Sequence, residues 1–271
     1  MILFSCRKLS QSIILSLFLS FTVGAPVAAQ SPEQKGFEIS ARSDRSDRGF
    51  GDSRVNLKMI LRNAAGAESV RTLEISTFEV PDENIGDKGL IIFSSPADID
   101  GTALLSHVKI LKPDDQWLYL PALKRTKRIS SVNKSGPFVG SEFSFEDITG
   151  QELNKYTYEY LREEPCGEFV CDVIKRLPRY EYSGYTQQIA WIDQKVHQTR
   201  KIEFYDRKGD LIKTLMFEDY KLYLEKFWRT HKMIMINHQN GKSTDLIYSE
   251  YTFGVGLNEK DFVKGVLRRI R

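Results

Sequence analysis

The sequence is poor in what most catalytic and scaffold classes require. It holds three cysteines and four histidines in 271 residues. Three cysteines are too few for a disulfide-built scaffold or a zinc cluster. His107, His197, His231 and His238 are scattered, and none shares ligand spacing with a second His or Cys. No metal and no cofactor is expected. There is no Gly-x-Ser-x-Gly elbow, no His-Glu-x-x-His, no P-loop and no Gly-x-Gly-x-x-Gly. The adjacent acids Asp114-Asp115 and Glu146-Asp147 read as turn and helix-start residues, not as an acid/base pair. Nothing in the chain asks for an enzyme. An excess of one charge is missing too. Lys+Arg is 39 and Asp+Glu is 36, a net charge of +3, without the long basic run that a nucleic-acid binder uses.

Long apolar runs are confined to the N-terminus. Arg7 and Lys8 precede an uncharged stretch at 13–23 (IILSLFLSFTV), and small residues follow at 25–29 (APVAA). At ~1.5 Å per residue that stretch covers about half of a ~30 Å hydrocarbon core. Residues 1–29 therefore read as a signal peptide cleaved after about Ala29, and 30–271 as a single exported domain. Cys6 leaves with the signal. Export implies an oxidising compartment, in which Cys166 and Cys171 are expected to pair across the short Gly167-Glu-Phe-Val170 spacer. Closing so short a loop stabilises by roughly 2 kcal/mol. A redox-active pair normally has a two-residue spacer and a helix N-terminus.

The remainder reads as antiparallel sheet. Residues 32–42 suit a short helix, with Ser31 as N-cap and Pro32 at N1; 43–52 are polar and loop-like. From Arg54 the period is two: Val55, Leu57, Met59 and Leu61 face one way, Arg54, Asn56, Lys58 and Arg62 the other. Further strands are predicted at 70–80, 89–93, 102–111, 116–120, 124–130, 156–162, 170–177, 188–193, 199–205, 211–220, 228–237 and 244–251, with turns between them, including the Asn240-Gly241 hairpin signal. No strand–helix–strand alternation appears. Several strands are apolar on both faces; Met233 and Met235 oppose Ile234 and Ile236. Such strands need cover on two sides. The N-terminal segment, the Gly- and Phe-bearing insertion 133–155 and the C-terminal 259–270 are the available covers. The pattern is a highly curved sheet with a few short helices.

The stretch Lys124-Arg-Thr-Lys-Arg128 is the sharpest charge feature. It reads either as a solvated edge that resists aggregation or as a docking patch for anionic headgroups or an acidic partner. Three segments then carry a family resemblance: 93–105 (FSSPADIDGTALL), 114–129 (DDQWLYLPALKRTKRI) and 136–147 (GPFVGSEFSFED). In this order and spacing the chain resembles the LolA-like outer-membrane lipoprotein-sorting proteins of bacteria, a group of the LolA, LolB and RseB type. The resemblance implies a mainly β fold, an incomplete (half-open) antiparallel β-barrel of about eleven to thirteen strands covered by a few short helices. It also implies the periplasm, and a carrier that binds a lipoprotein acyl chain or free lipid and moves it toward the outer membrane. Implied partners are that lipid, an inner-membrane lipid exporter and transient contact with a membrane. The alternative is a periplasmic sensor or interaction domain of the same fold that binds a peptide or membrane-protein partner.

A dry groove suffices for such a ligand. At ~0.8 kcal/mol per methylene, a ~16-carbon chain offers on the order of 10 kcal/mol before entropic costs. Candidate lining residues are Trp117, Tyr119, Phe143, Phe145, Trp191, Met233 and Met235, each of which also suits ordinary core packing. Lys124, Arg125, Lys127 and Arg128 are the docking candidates. Residues 133–155 are expected to form a movable cover over the groove. In exported protein, neither Cys166 nor Cys171 should react with an alkylating reagent before reduction. Two free thiols in native, air-exposed protein, read by mass, contradict the pairing.

Overall fold

The computed structural model describes residues 30–270 apart from Glu83 and Gln151. The expected signal peptide and its cleavage point lie outside these residues. The α-helix among the described residues is α1 (Pro32–Ser46). Fourteen strands follow: β1 (Asp52–Arg62), β2 (Glu68–Phe78), β3 (Lys88–Ser95), β4 (Ala103–His107), β5 (Asp115–Leu120), β6 (Arg125–Ile129), β7 (Tyr156–Cys166), β8 (Phe169–Pro178), β9 (Gln187–Asp193), β10 (Thr199–Tyr205), β11 (Leu211–Tyr223), β12 (Phe227–Asn237), β13 (Ser243–Tyr248) and β14 (Thr252–Phe253). They form one antiparallel sheet in the order β6-β5-β4-β3-β2-β1-β13-β12-β11-β10-β9-β8-β7, with β14 beside β1. The sheet does not close, and β6 and β7 are its edges.

Alternation sets which residues face inward. Along β1, Val55, Leu57 and Met59 are buried while Arg54, Asn56 and Lys58 are exposed. One core cluster draws on Leu57 and Met59 of β1, Phe93 of β3, Leu104 of β4, Ile129 of β6, Phe204 of β10, Leu215 of β11 and Leu246 of β13. Strands this far apart in the order share a cluster only if the sheet curls around it. The opposite parity forms outer-face clusters. Leu90, Ala103, Leu105 and Tyr119 pack beneath Phe262 and Leu267. Those two come from single 3₁₀ turns at Glu259–Phe262 and Lys264–Arg268, where the sequence suggested a C-terminal helix. Cys171, Val173, Ile189 and Trp191 form a second outer cluster beside the Cys166–Cys171 disulfide.

Helix α1 runs four residues beyond the predicted 42. Its last turn is the polar Ser43–Ser46, which reads as loop by composition. There Ser46 Oγ donates to the Ser43 carbonyl at 2.7 Å, and Arg48 reaches back to Asp44 at 2.8 Å. At its other end Gln34 N–H donates to Ser31 Oγ at 3.2 Å, as the N-cap predicts. Gly36 lets the helix settle on edge strand β7: a Cβ there would lie 2.7 Å from the Tyr160 nitrogen.

The 133–155 insertion is a core element and not a loose cover. Phe138, Phe143 and Phe145 are 0%, 2% and 8% exposed and belong to the central cluster. The segment is also tied to the sheet by hydrogen bonds. Gln116 Nε2 donates to the Phe145 carbonyl at 2.9 Å, Glu142 N–H to Thr244 Oγ1 at 3.0 Å, and Arg71 to the Val139 carbonyl. It plugs part of the concave face. Phe143→Ala should therefore lower the unfolding free energy by about 3–5 kcal/mol, as truncation of a buried Phe does. Denaturant unfolding that moves by less than about 1 kcal/mol would restore the loose-cover reading.

Candidate functional site

Where the plug ends, the concave face is left unfilled. A cavity of about 800 Å³ opens there, within the size range of small-molecule and lipid sites. Its floor is the inward parity of three long strands: Ile202 and Phe204 of β10, Leu215 and Phe217 of β11, and Met233 of β12. Its roof is polar and its walls are mixed, with Phe50, Val80, Ile85, Ile110, Leu153 and Trp228 beside polar residues. Ser40, Ser43 and Asp44 of α1 and its C-cap Asp47 line it, at spacings of three, four and seven residues that share one helix face. Tyr156 and Tyr158 of β7, Arg176 of β8, and the loops around Glu79–Asp87 and Asp147–Leu153 complete the wall. Tyr158 O–H donates to the Leu153 carbonyl at 2.8 Å, which fixes one ring of that wall.

The roof is fastened at the C-terminal end of α1. Asp47 pairs with Arg229, and Lys226 Nζ donates to the Arg48 carbonyl at 2.6 Å. The Glu79 carboxylate accepts from the Gly49 and Gly51 amides at 2.7 and 2.8 Å. Both glycines have positive φ, +95° and +75°, a region that glycine enters without steric cost. That conformation turns the two amides toward one carboxylate.

Of the seven residues singled out as candidate lining, Met233 lines the cavity. Met235, Phe143 and Phe145 are packed inside the central cluster. Tyr119 and Trp117 lie in the outer-face cluster under the C-terminal turns. Trp191 is in the outer cluster at the disulfide, where its Nε1–H donates to Glu164 and Lys201 Nζ sits 3.6 Å from the ring centroid. The reason is parity: Ala190 and Ile192 face inward, so Trp191 faces out. The residues missed are Ile202, Phe204, Leu215 and Phe217. They were accessible in principle, as the inward parity of β10 and β11, but large aromatic size was the wrong selector. Arg125, Lys127 and Arg128 lie on the edge strand β6 and Lys124 in the turn before it; all four are exposed, Arg128 pairs with Asp115, and none lines the cavity. The Glu146-Asp147 pair has a structural job. Glu146 accepts from Tyr180 O–H, Ser183 O–H and the Gly184 amide at 2.8–3.0 Å, and burial lifts its pKa. No group of three or more His, Cys, Asp or Glu among the described residues is arranged to hold a metal.

Two cavity carboxyls are electrostatically uncomfortable. Burial pushes Asp87 from its ordinary 3.8 up to about 6; the Val80 amide, at 3.0 Å, and Arg48 pull down, while Glu79 and Glu152 push up. Burial also raises Glu152, with Lys155 opposing and Asp44 adding. A raised folded pKa means that the charged form costs stability. The cost is absent below about 3.8, grows between there and about 6, and is complete above. Asp87→Asn keeps an acceptor for Val80. Its melting temperature relative to the parent should therefore rise from pH 4 to pH 6 and level off beyond. A difference that does not change across this window, in thermal unfolding at fixed ionic strength, contradicts the shift.

Comparison with known proteins places this geometry. A family model described only as an uncharacterized protein matches residues 86–269. No curated protein matches the chain by sequence. Among solved structures, an outer membrane lipoprotein-sorting protein domain from Vibrio parahaemolyticus is 50% identical, covers 88% of this chain and 100% of its own, and superposes with a TM-score of 0.85. A DUF1329 family protein from Desulfovibrio piger is 26% identical over 88% of this chain and 99% of its own, with a TM-score of 0.83. A LolA superfamily protein from Nitrosomonas europaea shares the fold at 22% identity, over 84% and 97% of the two chains, with a TM-score of 0.67. With half of the aligned residues identical to the Vibrio domain over its whole length, the chain belongs to the outer-membrane lipoprotein-sorting protein family of that domain, and it shares the LolA fold.

Proposed function

We propose that the protein is a periplasmic carrier that holds a lipid, either a lipoprotein acyl chain or a free lipid, in the cavity under α1 and moves it toward the outer membrane. The observation that carries this reading is the division of the cavity into an apolar floor and a polar roof. Ile202, Phe204, Leu215, Phe217 and Met233 form the floor; Asp44, Asp47 and the Glu79–Asp87 loop stand above it. An amphiphile has the same division. The floor offers apolar area for a tail at ~25 cal/mol per Å², and the polar rim leaves a head in contact with hydrogen-bonding groups. The description of the Vibrio domain as lipoprotein-sorting points the same way. We read the protein as a binding protein and not an enzyme, since a tail in an apolar groove needs no reacting side chain. The exposed basic strand β6, remote from the floor, is where we place contact with an acidic donor or acceptor.

The test is direct. Protein purified from the periplasm should carry lipid in native mass spectrometry, and delipidated protein should bind a fluorescent fatty-acid or phospholipid probe at micromolar levels. Phe217 and Met233 are half-buried floor residues. Changing either to Glu should weaken the probe at least about tenfold, because a carboxylate in an apolar floor is costly, with circular dichroism unchanged. Leu211→Glu, an exposed position, should leave binding as it was. Delipidated wild-type protein that binds no such probe ends the carrier reading.

A further inference from the structure

The charges around the cavity do not suit the commonest lipid heads. Among the described residues, six carboxylates line it, from Asp44, Asp47, Glu79, Asp87, Asp147 and Glu152, against three guanidiniums, from Arg48, Arg176 and Arg229, and no lysine or histidine does. Four of the six are occupied. Asp44 and Asp47 pair with Arg48 and Arg229. Glu79 holds the Gly49 and Gly51 amides, and Asp147 holds the Ser144 amide and the Tyr185 hydroxyl. Two are under-used. The Asp87 carboxylate accepts one backbone amide, that of Val80. The Glu152 carboxylate makes no hydrogen bond or ion pair among the described residues; the charges that act on it are those of Lys155, Asp44, Arg48 and Asp114. Burial raises both carboxyls, as it does for negative charge that lacks a counterion.

A second, independent observation comes from α1. Ser40 is 5% exposed, lines the cavity on the same helix face as Asp44 and Asp47, and its Oγ finds no hydrogen-bond partner among the described residues. Buried hydroxyls are normally satisfied, so this one stands ready for a ligand. The two under-used carboxylates of the wall can only accept when ionised, and the Ser40 hydroxyl can accept as well as donate. The complementary head is a donor with positive charge. An ammonium has three N–H donors and no acceptor.

On the reading of the cavity as a lipid site, we propose that its ligand is an amphiphile with an ammonium head, an aminolipid or long-chain amine, held by Asp87, Glu152 and Ser40 with its tail on the Phe217 and Met233 floor. The competing occupant is a carboxylate-headed lipid at Arg176, which is buried beside Tyr156 and Tyr158. Three probes of equal chain length separate the cases: dodecylamine, dodecanoate and dodecanol, titrated into delipidated full-length protein at neutral pH. The amine should bind at least about tenfold more tightly than the carboxylate. Asp87→Asn and Glu152→Gln should each cut that ratio several-fold and leave dodecanol affinity unchanged, a readout that general loss of structure would not give. Equal affinities, a preference for dodecanoate, or a ratio that survives both substitutions overturns the ammonium head while the carrier reading stands. If none of the three probes binds, the carrier reading falls, and the ammonium head falls with it.

Discussion

An open sheet curled around a core has two faces to bury and two edges to protect, and that constraint organises this molecule. The outer face is covered in patches: by the C-terminal 3₁₀ turns over β3–β5, and by the disulfide hairpin with its cluster over β8–β10. The concave face is filled from one side by the Phe138–Phe145 plug and roofed on the other by α1. Edge β7 lies under α1, while edge β6 is left short and basic, a form that discourages pairing with another chain. The cavity is what remains when plug and roof do not meet. It is a by-product of coverage, and function needs only that its lining be graded from apolar to polar.

That grading follows from which elements supply each wall. Strands present alternate residues to the interior, so any long strand of an inward sheet contributes apolar side chains to a floor. A helix laid across an opening shows one face inward. When that face is Ser40, Ser43, Asp44 and Asp47, it supplies dipoles and charge instead. Asp44 and Asp47 at the mouth are paired with Arg48 and Arg229, while Asp87 and Glu152 are left under-used. The apolar floor therefore needs no polar atom of its own.

Much of the sheet was legible because alternation is a direct consequence of pleating. β1 matches its predicted alternation from Arg54 to Met59, and the β12–β13 turn falls at the Asn240-Gly241 signal. The N-cap at Ser31 and the pairing of Cys166 with Cys171 were equally readable, because both are local. The site was not. Phe143 and Trp191 are apolar and large, yet one is locked in the plug and the other faces outward. Parity distinguishes them only when the strand boundary is known to the residue. The last turn of α1 escaped notice because Ser43-Asp-Arg-Ser46 is a loop by composition, and its order comes from an Asp44–Arg48 pair and from tertiary contact. Carboxylates around the mouth could not be read at all, since they gather from segments more than a hundred residues apart, between α1 and the 147–153 stretch.

The two ends of the roof helix are held by different kinds of force. Near its start, Gly36 lies against the β7 backbone, with room for no side chain. That seat is a close, buried contact between backbones. Near its end, the fastening is polar and partly solvent-facing: Asp47 is 52% exposed and Lys226 is exposed, while Arg229 is 12% exposed. Exposed ion pairs contribute only about 0–1 kcal/mol each. The helix is thus mounted unevenly, by close backbone contact at Gly36 and by polar side-chain contacts at Arg229 and Lys226, and the cavity mouth beside Phe50 and Trp228 lies at the polar end.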